Sequence, residues 1–286
     1  MNIAFIGAGR LAQTVARAWA RAGVSVSAVA SRSRASSDAL AAHVPGCMVC
    51  DSAQAAAEGA DLVLITVPDD AIAATAAAID WRAGQMVVHC SGATEVAVLQ
   101  AAADAGALTG GFHPLQIFSD PEIAIEHLAG STVAIEAAPP LFAVLEDLAA
   151  RLGCPTITLP PGARARYHAA ACYMASFVLS LPREAAQVWA SFGVNEADTL
   201  QALFPMLLGT VDSARKKGLA GTLSGPISRG DVKVVERHLA DLARLGPNQE
   251  LFYKVLAQRQ LPLAEERGIV SAQALARLRA LLATAG

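Results

Sequence analysis

The chain has 286 residues, enough for one large or two medium domains with a real core. Hydrophobic residues make up 54% and charged ones 16%, a balance that excludes a disordered chain. A net charge of −3 with no basic stripe speaks against nucleic acid and anionic membrane as partners.

Asn2-Ile3-Ala4-Phe5-Ile6 predicts a first strand, and it stops at Gly7-Ala8-Gly9-Arg10-Leu11-Ala12. Leu11, Val15, Ala18 and Trp19 then recur at helical spacing. Strand, glycine turn and helix in that order suit a phosphate-binding start. Gly7 permits the tight turn, Gly9 has no Cβ to hold the backbone off a pyrophosphate, and Ala12 lets the helix pack close. The free N–H groups at the helix start, together with its dipole, then face the anion.

Val24 to Ala30 is the second strand, and Ser31-Arg32-Ser33-Arg34 follows it. An NAD site, and equally a methyltransferase with a similar turn, wants Asp or Glu at this point for a ribose diol. Hydroxyls and guanidinium groups suit a 2′-phosphate instead, so the expected cofactor is NADP. Its contacts are expected from Gly7, Ala8, Gly9, Arg10, Leu11, Ser31, Arg32 and Ser33, and further along from Val67, Pro68 and Ser91.

Ser36 to His43 predicts a helix, Met48-Val49 a short strand, and Asp51 or Ser52 the cap of another helix. Cys47 and Cys50 have C-x-x-C spacing, but no second pair or His pair completes a zinc set, so no metal is expected. Five cysteines, an odd number, fit a reducing cytosol. Asp61 to Val67 is apolar and β-rich, as in a strand covered on both faces. It ends at Pro68-Asp69-Asp70, whose carboxylates are expected to cap a helix. Strands at Gln85–Cys90, Ala107–Phe112, Thr132–Glu136 and Pro155–Leu159, with helices at Glu95–Ala105 and Pro140–Leu152, continue the alternation that marks a parallel sheet.

Pro160-Pro161-Gly162 breaks that pattern, and helical periodicity takes over to the end. The expected class is α/β: a doubly wound dinucleotide-type domain over 1–160 and an all-α domain over 161–286 for substrate binding and dimerisation. Arg164 to Leu181 reads as one helix, with Ala169 to Leu181 buried and too short for the ~20 residues of a membrane span.

Three polar stretches interrupt the apolar background. His89-Cys90-Ser91-Gly92 and His113-Pro114-Leu115-Gln116 lie just beyond strand ends. Tyr167-His168 opens the helix after the break, where a dinucleotide domain passes into a helical one. His168 there suits a proton donor or acceptor, since imidazole ordinarily titrates near ~6.5, and His113 suits a second catalytic role. In Ser224-Gly225-Pro226-Ile227-Ser228-Arg229-Gly230-Asp231, helix capping explains Asp231 but not Arg229, which suits an anion. Arg229, Gly225 and Gln116 are the expected substrate contacts.

Taken together, the Gly-Ala-Gly-Arg-Leu-Ala start, Val-Pro-Asp-Asp, His-Cys-Ser-Gly, His-Pro-Leu-Gln and Ser-Gly-Pro-Ile-Ser-Arg-Gly-Asp resemble the Rossmann-like proteins with a C-terminal DUF2520 domain. These carry the name NADP oxidoreductase and are related to pyrroline-5-carboxylate reductases and coenzyme F420-dependent NADP oxidoreductases. The resemblance implies an oxidoreductase that moves hydride between NADP(H) and a small carbonyl, hydroxyl or imine compound. Related enzymes pair through the helical domain, and the wide apolar arcs of Ala169 to Leu181 and Leu200 to Leu208 fit the same expectation of a homodimer. The cysteine count sets the expected location as cytoplasmic. In the wider β-hydroxyacid dehydrogenase superfamily a catalytic lysine opens the first helix after the dinucleotide domain. Tyr167-His168 occupies that region here, and the first lysine of the chain is Lys216. Ser176-Phe177 likewise stands where the family commonly has Ser-Asn. The missing lysine, with no settled substrate in the family, leaves a competing expectation, a non-catalytic NADP(H)-binding sensor or scaffold.

Overall fold

Eight strands rich in Val, Ile, Leu and Ala form a single sheet in this structure, a computed structural model that describes residues 1–283. In chain order they are β1 (Ile3–Ile6), β2 (Val26–Ala30), β3 (Met48–Val49), β4 (Leu62–Ile65), β5 (Met86–His89), β6 (Leu108–Pro114), β7 (Val133–Ala137) and β8 (Thr156–Thr158). Their spatial order is β3-β2-β1-β4-β5-β6-β7-β8. All neighbours are parallel except β6 and β7, which run antiparallel with His113 opposite Ala134. The chain therefore reverses direction across the sheet between β1 and β4, the switch point at which doubly wound sheets open a crevice.

Seven helices accompany the sheet: α1 (Arg10–Arg21), α2 (Arg34–Ala41), α3 (Ala53–Glu58), α4 (Ile72–Ala77), α5 (Gln100–Asp104), α6 (Pro121–Glu126) and α7 (Leu141–Arg151). Side chains alternate across each strand, so one sequence run serves two cores. Ile3 and Phe5 pack into a cluster with Val15, Trp19 and Leu145, while Ala4 and Ile6 join Val63, Ile65, Ile72 and Leu99 on the other face. Trp19 is fully buried between Phe5 and Phe112, and its indole N–H donates to the Leu148 carbonyl at 3.0 Å.

The helical remainder comprises α8 (Arg164–Ala175), α9 (Ser180–Ala190), α10 (Glu196–Thr222), α11 (Gly225–Arg229), α12 (Val232–Leu245), α13 (Pro247–Arg267) and α14 (Ala272–Leu282). A 3₁₀ turn over Phe177–Leu179 separates α8 from α9, so the expected single helix from Arg164 to Leu181 is two. Gly218, at φ 74°, kinks α10. Ile227, Val235, Leu239, Leu261 and Leu278 build a separate core from α11 to α14.

The chain divides into two compact units, Met1–Ala175 and a second that starts at Ser176. The break expected at 160/161 thus falls inside the first unit. The cause is α8, whose first residue, Arg164, is wholly buried against the sheet. The remaining face of the same helix corrects a further expectation. Ala169, Ala170, Tyr173 and Met174 are exposed, so the apolar stretch from Ala169 is not buried within this chain.

Candidate functional site

At the carboxyl ends of β1, β2 and β4 lies a cleft of about 470 Å³, lined by Gly7, Ala8, Gly9, Ser31, Arg32, Ser36, Asp51, Thr66, Val67 and Pro68 among others. Gly7 closes it from below: at φ +103°, a Cβ there would lie 2.6 Å from the Thr66 carbonyl oxygen. At Gly9, by contrast, a Cβ would meet nothing within 4 Å. The first turn of α1 therefore faces open space, with backbone N–H groups bare for an anion, as a pyrophosphate requires. The residues present fit a dinucleotide.

The expected contacts in this region separate into two groups. Gly7, Ala8, Gly9, Ser31, Arg32, Val67 and Pro68 line the cleft, and Arg10, Leu11, Ser33 and Ser91 do not. Leu11 packs on the hydrophobic core. Ser33 caps α2 by accepting from the Ser36 N–H at 3.3 Å. Ser36, Asp51, Ser52, Thr66 and Thr75 line the cleft unannounced by any motif. Arg34 is held by Asp38 at 3.0 Å and Asp51 at 2.9 Å, whereas Arg32 makes no ion pair among the described residues.

One strand further along, β5 and β6 end in a second polar group. The expectation that Asp69 caps a helix is corrected here: its carboxylate accepts the Ser91 hydroxyl at 2.7 Å, and Pro68 holds the cap position. Ser91 in turn accepts the Thr94 N–H at 3.0 Å, which folds the loop after β5 back on itself.

Above that loop sits the start of α8. Arg164 donates from Nε to Glu136 on β7 at 2.5 Å and from Nη1 to the Ser91 carbonyl at 2.7 Å. Glu95 accepts the Gly162 and Arg164 N–H groups at 3.0 and 3.2 Å. The guanidinium fills the place where Gly111 would carry a side chain, with Nη2 well inside contact distance of that ideal Cβ. A buried, paired arginine of this kind fixes the helix start rather than serving a ligand.

The anchored helix delivers Tyr167 and His168 onto His113. The Tyr167 hydroxyl lies 2.9 Å from His113 Nδ1, and the rings of His113 and His168 stand edge-on with centroids 6.3 Å apart. Gly92 lies beneath both imidazoles, where a Cβ would come 2.7 Å from His168 Cδ2 and 2.9 Å from His113 Nε2. The structure thus brings together the two expected catalytic residues and adds Tyr167. Of the expected substrate contacts, Gln116 is committed elsewhere: its amide donates to the His127 carbonyl at 2.7 Å and to Ser131, and accepts from the Ile117 N–H. In the second unit, Gly225 and Arg229 open and close α11, and Arg229 is exposed with no ion pair among the described residues. Asp231 caps α12, as expected, by accepting the Val234 N–H.

Burial, then His168 and Arg164, push the His113 imidazole down to about 4, against a smaller upward pull from Asp69. Burial and Arg164 take His89 to about 4 as well. Both histidines are then neutral in the folded chain, while the unfolded chain takes up their protons near ~6.5. Because the folded values are depressed, this stability is present above ~6.5 and is lost as pH falls towards 4. Thermal melting across that range should show a midpoint that declines with acidity, with a shallower decline in His113→Gln.

The fold and this geometry define a doubly wound α/β protein with a dinucleotide-type cleft and a neighbouring imidazole pair. The Rossmann-like domain model matches residues 1–114, and the model of a domain of unknown function (DUF2520) matches residues 131–260. The chain therefore carries a Rossmann-like domain followed by a DUF2520 domain. No curated protein matches it significantly. Among solved structures, a protein from Thermotoga maritima is similar at a TM-score of 0.76 and 21% identity, over 93% of this chain and 99% of that one. A protein from Bacteroides fragilis, provisionally named an NADP oxidoreductase, is similar at 0.68 and 25%, over 90% and 96%. A reductive aminase from Aspergillus terreus, in complex with NADPH and ethyl-5-oxohexanoate, is similar at 0.62 and 17%, over 98% and 92%. No helix among the described residues is long and apolar enough to cross a membrane.

Proposed function

We propose that the protein is an NADP(H)-dependent oxidoreductase that moves hydride between the nicotinamide and a small carbonyl, hydroxyl or imine compound. The observation that carries this reading is the convergence of His113, His168 and Tyr167 over Gly92, at the same sheet edge as the open glycine turn. The NADP in the Bacteroides protein's name and the NADPH in the Aspergillus complex support the same choice. Gly7 to Gly9 would hold the pyrophosphate, and Arg32 with Ser31 would receive the 2′-phosphate. When bound, NADPH supplies the hydride. His168 gives its proton to the substrate atom that gains charge and recovers one from solvent. His113 orients that atom. Arg229 is proposed as the anchor for a substrate anion.

Titration of the protein with NADPH, followed by a panel of ketones, aldehydes and cyclic imines with NADPH consumption as readout, tests the reading. Absence of NADPH binding sinks it. Tight binding with no consumption by any member favours the sensor instead.

The apolar faces suit a symmetric homodimer. Phe204, Met206, Leu208 and Val211 on α10 are 42, 65, 65 and 47% exposed, more apolar surface than one helix ordinarily leaves to water. Sedimentation at micromolar concentration should give twice the mass of the chain, and Met206→Glu should lower it. A monomer in the unmodified protein would refute the pairing. We place the protein in the reducing cytoplasm, where its five cysteines stay unbridged.

A further inference from the structure

We infer that His113 acts as a neutral hydrogen-bond donor through Nε2–H to a carbonyl oxygen, and that Tyr167 is the positioning residue that fixes this tautomer. The inference rests on the oxidoreductase reading and narrows its substrate to a carbonyl compound or the matching alcohol.

The geometry assigns the protons. Tyr167 Oη has one hydrogen, and His113 Nδ1, 2.9 Å away, is its hydrogen-bond partner among the described residues. The rings meet edge-on, with an interplanar angle of 89°. If Nδ1 donated instead, the half-buried phenol would have no acceptor for its proton among the described residues and would have to turn it to water, giving up the buried partner it has. The phenol therefore donates, Nδ1 accepts, and a neutral imidazole carries its own proton on Nε2. Burial keeps both groups in these forms across the working range, since it raises the phenol to about 12 and lowers the imidazole to about 4. The charged or titratable groups acting on His113 are His168, Arg164 and Asp69.

The Cε1–Nε2 edge of His113 packs on Gly92, where a Cβ would come within 2.9 Å of it, and Nε2 makes no hydrogen bond among the described residues. The His168 ring borders the same space, with Cδ2 2.7 Å from the ideal Gly92 Cβ. A substrate oxygen that reaches Nε2 meets an N–H donor from His113, with the His168 ring as the neighbouring proton source.

That pairing selects the chemistry. A carbonyl oxygen offers lone pairs to Nε2–H and accepts more strongly as negative charge develops on it during hydride arrival. An iminium nitrogen has no lone pair and brings positive charge and its own N–H, so it faces donor against donor. His113 does not deliver a proton, because a neutral imidazole that did so would become an anion. Delivery falls to His168: NADPH, when bound, would supply the hydride to the carbonyl carbon and become NADP⁺, the π pair would move to oxygen, and the His168 proton would complete the alcohol.

The test begins on ligand-free protein. Nitrogen-15 NMR of labelled protein, with His113 assigned by difference from His113→Gln, should show Nδ1 bare and hydrogen-bonded, Nε2 protonated, and a neutral ring at pH 5. Tyr167→Phe should convert that signal to a mixture of tautomers. With a ketone, the same variant should lose about 10-fold in kcat with its NADPH affinity unchanged. His113→Gln, which keeps an N–H donor but cannot titrate, should retain at least ten times the kcat of His113→Phe. A His113 protonated on Nδ1, or one whose tautomer ignores Tyr167→Phe, overturns the inference even if the enzyme is active. So does a cyclic iminium reduced as fast as its matched ketone. If the tautomer is as inferred but neither compound is reduced while NADPH binds, the carbonyl role falls together with the oxidoreductase reading.

Discussion

His168→Ala should lower turnover by about 10²–10⁴-fold, the range for loss of a positioned proton donor, and leave NADPH affinity almost unchanged. The reasoning starts at Arg164. Its burial against Glu136 and the Ser91 carbonyl sets the first turn of α8, so His168, one turn later, is delivered to Gly92 by a fixed element. In the proposed reaction, hydride arrival leaves a lone pair that must be protonated, and His168 stands beside His113 over Gly92 to supply that proton. The proposed cofactor contacts at Gly7, Gly9 and Arg32, which line the cleft, are different residues, so binding and chemistry should part company in this variant. Removing one side of an aromatic contact also lowers stability somewhat, and a melting curve accounts for that. A loss of less than about 10-fold, with the protein folded, would reduce His168 to a packing residue.

Much of this site is legible in local pattern. The glycine turn, the strand ends at His89 and His113, and Tyr167-His168 after the Pro-Pro-Gly break are all short-range signals, and the sheet places them on one edge. Arg164 is visible in the sequence only as one of several basic residues at a helix start. Its partner Glu136 is 28 positions away on β7, and no periodicity links the two. The antiparallel setting of β7 is hidden for a related reason, since a strand run carries no mark of its direction. Gln116 looks free in sequence because an amide after a strand end has no visible partner, yet His127 and Ser131 lie close in space and consume it. The apolar run from Ala169 reads as buried because composition tells that a face avoids water. It does not tell whether the cover comes from the same chain. Asp69 shows the limit of capping rules: its position suits a cap, but the Ser91 hydroxyl competes for the carboxylate and wins.

Arg32→Asp should weaken NADPH binding by about 10–100-fold and leave NADH binding level or slightly tighter. The sequence offers two guanidinium groups after β2, and the structure separates them. Arg34 is drawn to Asp38 and Asp51, so its charge is largely answered within the protein. Arg32 lines the cleft beside Ser31 and Ser36 with no ion pair among the described residues, so of the two it has its charge to offer. A hydrogen bond to a charged group contributes about 1.5–3 kcal/mol, which is the stated factor. Reversing the charge adds repulsion, and the exposed setting takes part of that back through screening. The effect should therefore shrink as salt rises from about 10 mM to physiological strength, with a Debye length that falls from about 30 to 8 Å. NADH lacks the 2′-phosphate and gains from the introduced carboxylate only what such a group offers a ribose diol. Arg34→Ala is the internal control and should move NADPH binding far less. Equal affinity of the unmodified protein for NADPH and NADH at low salt would remove the 2′-phosphate site from Arg32. An Arg34→Ala effect larger than that of Arg32→Asp would move it next door.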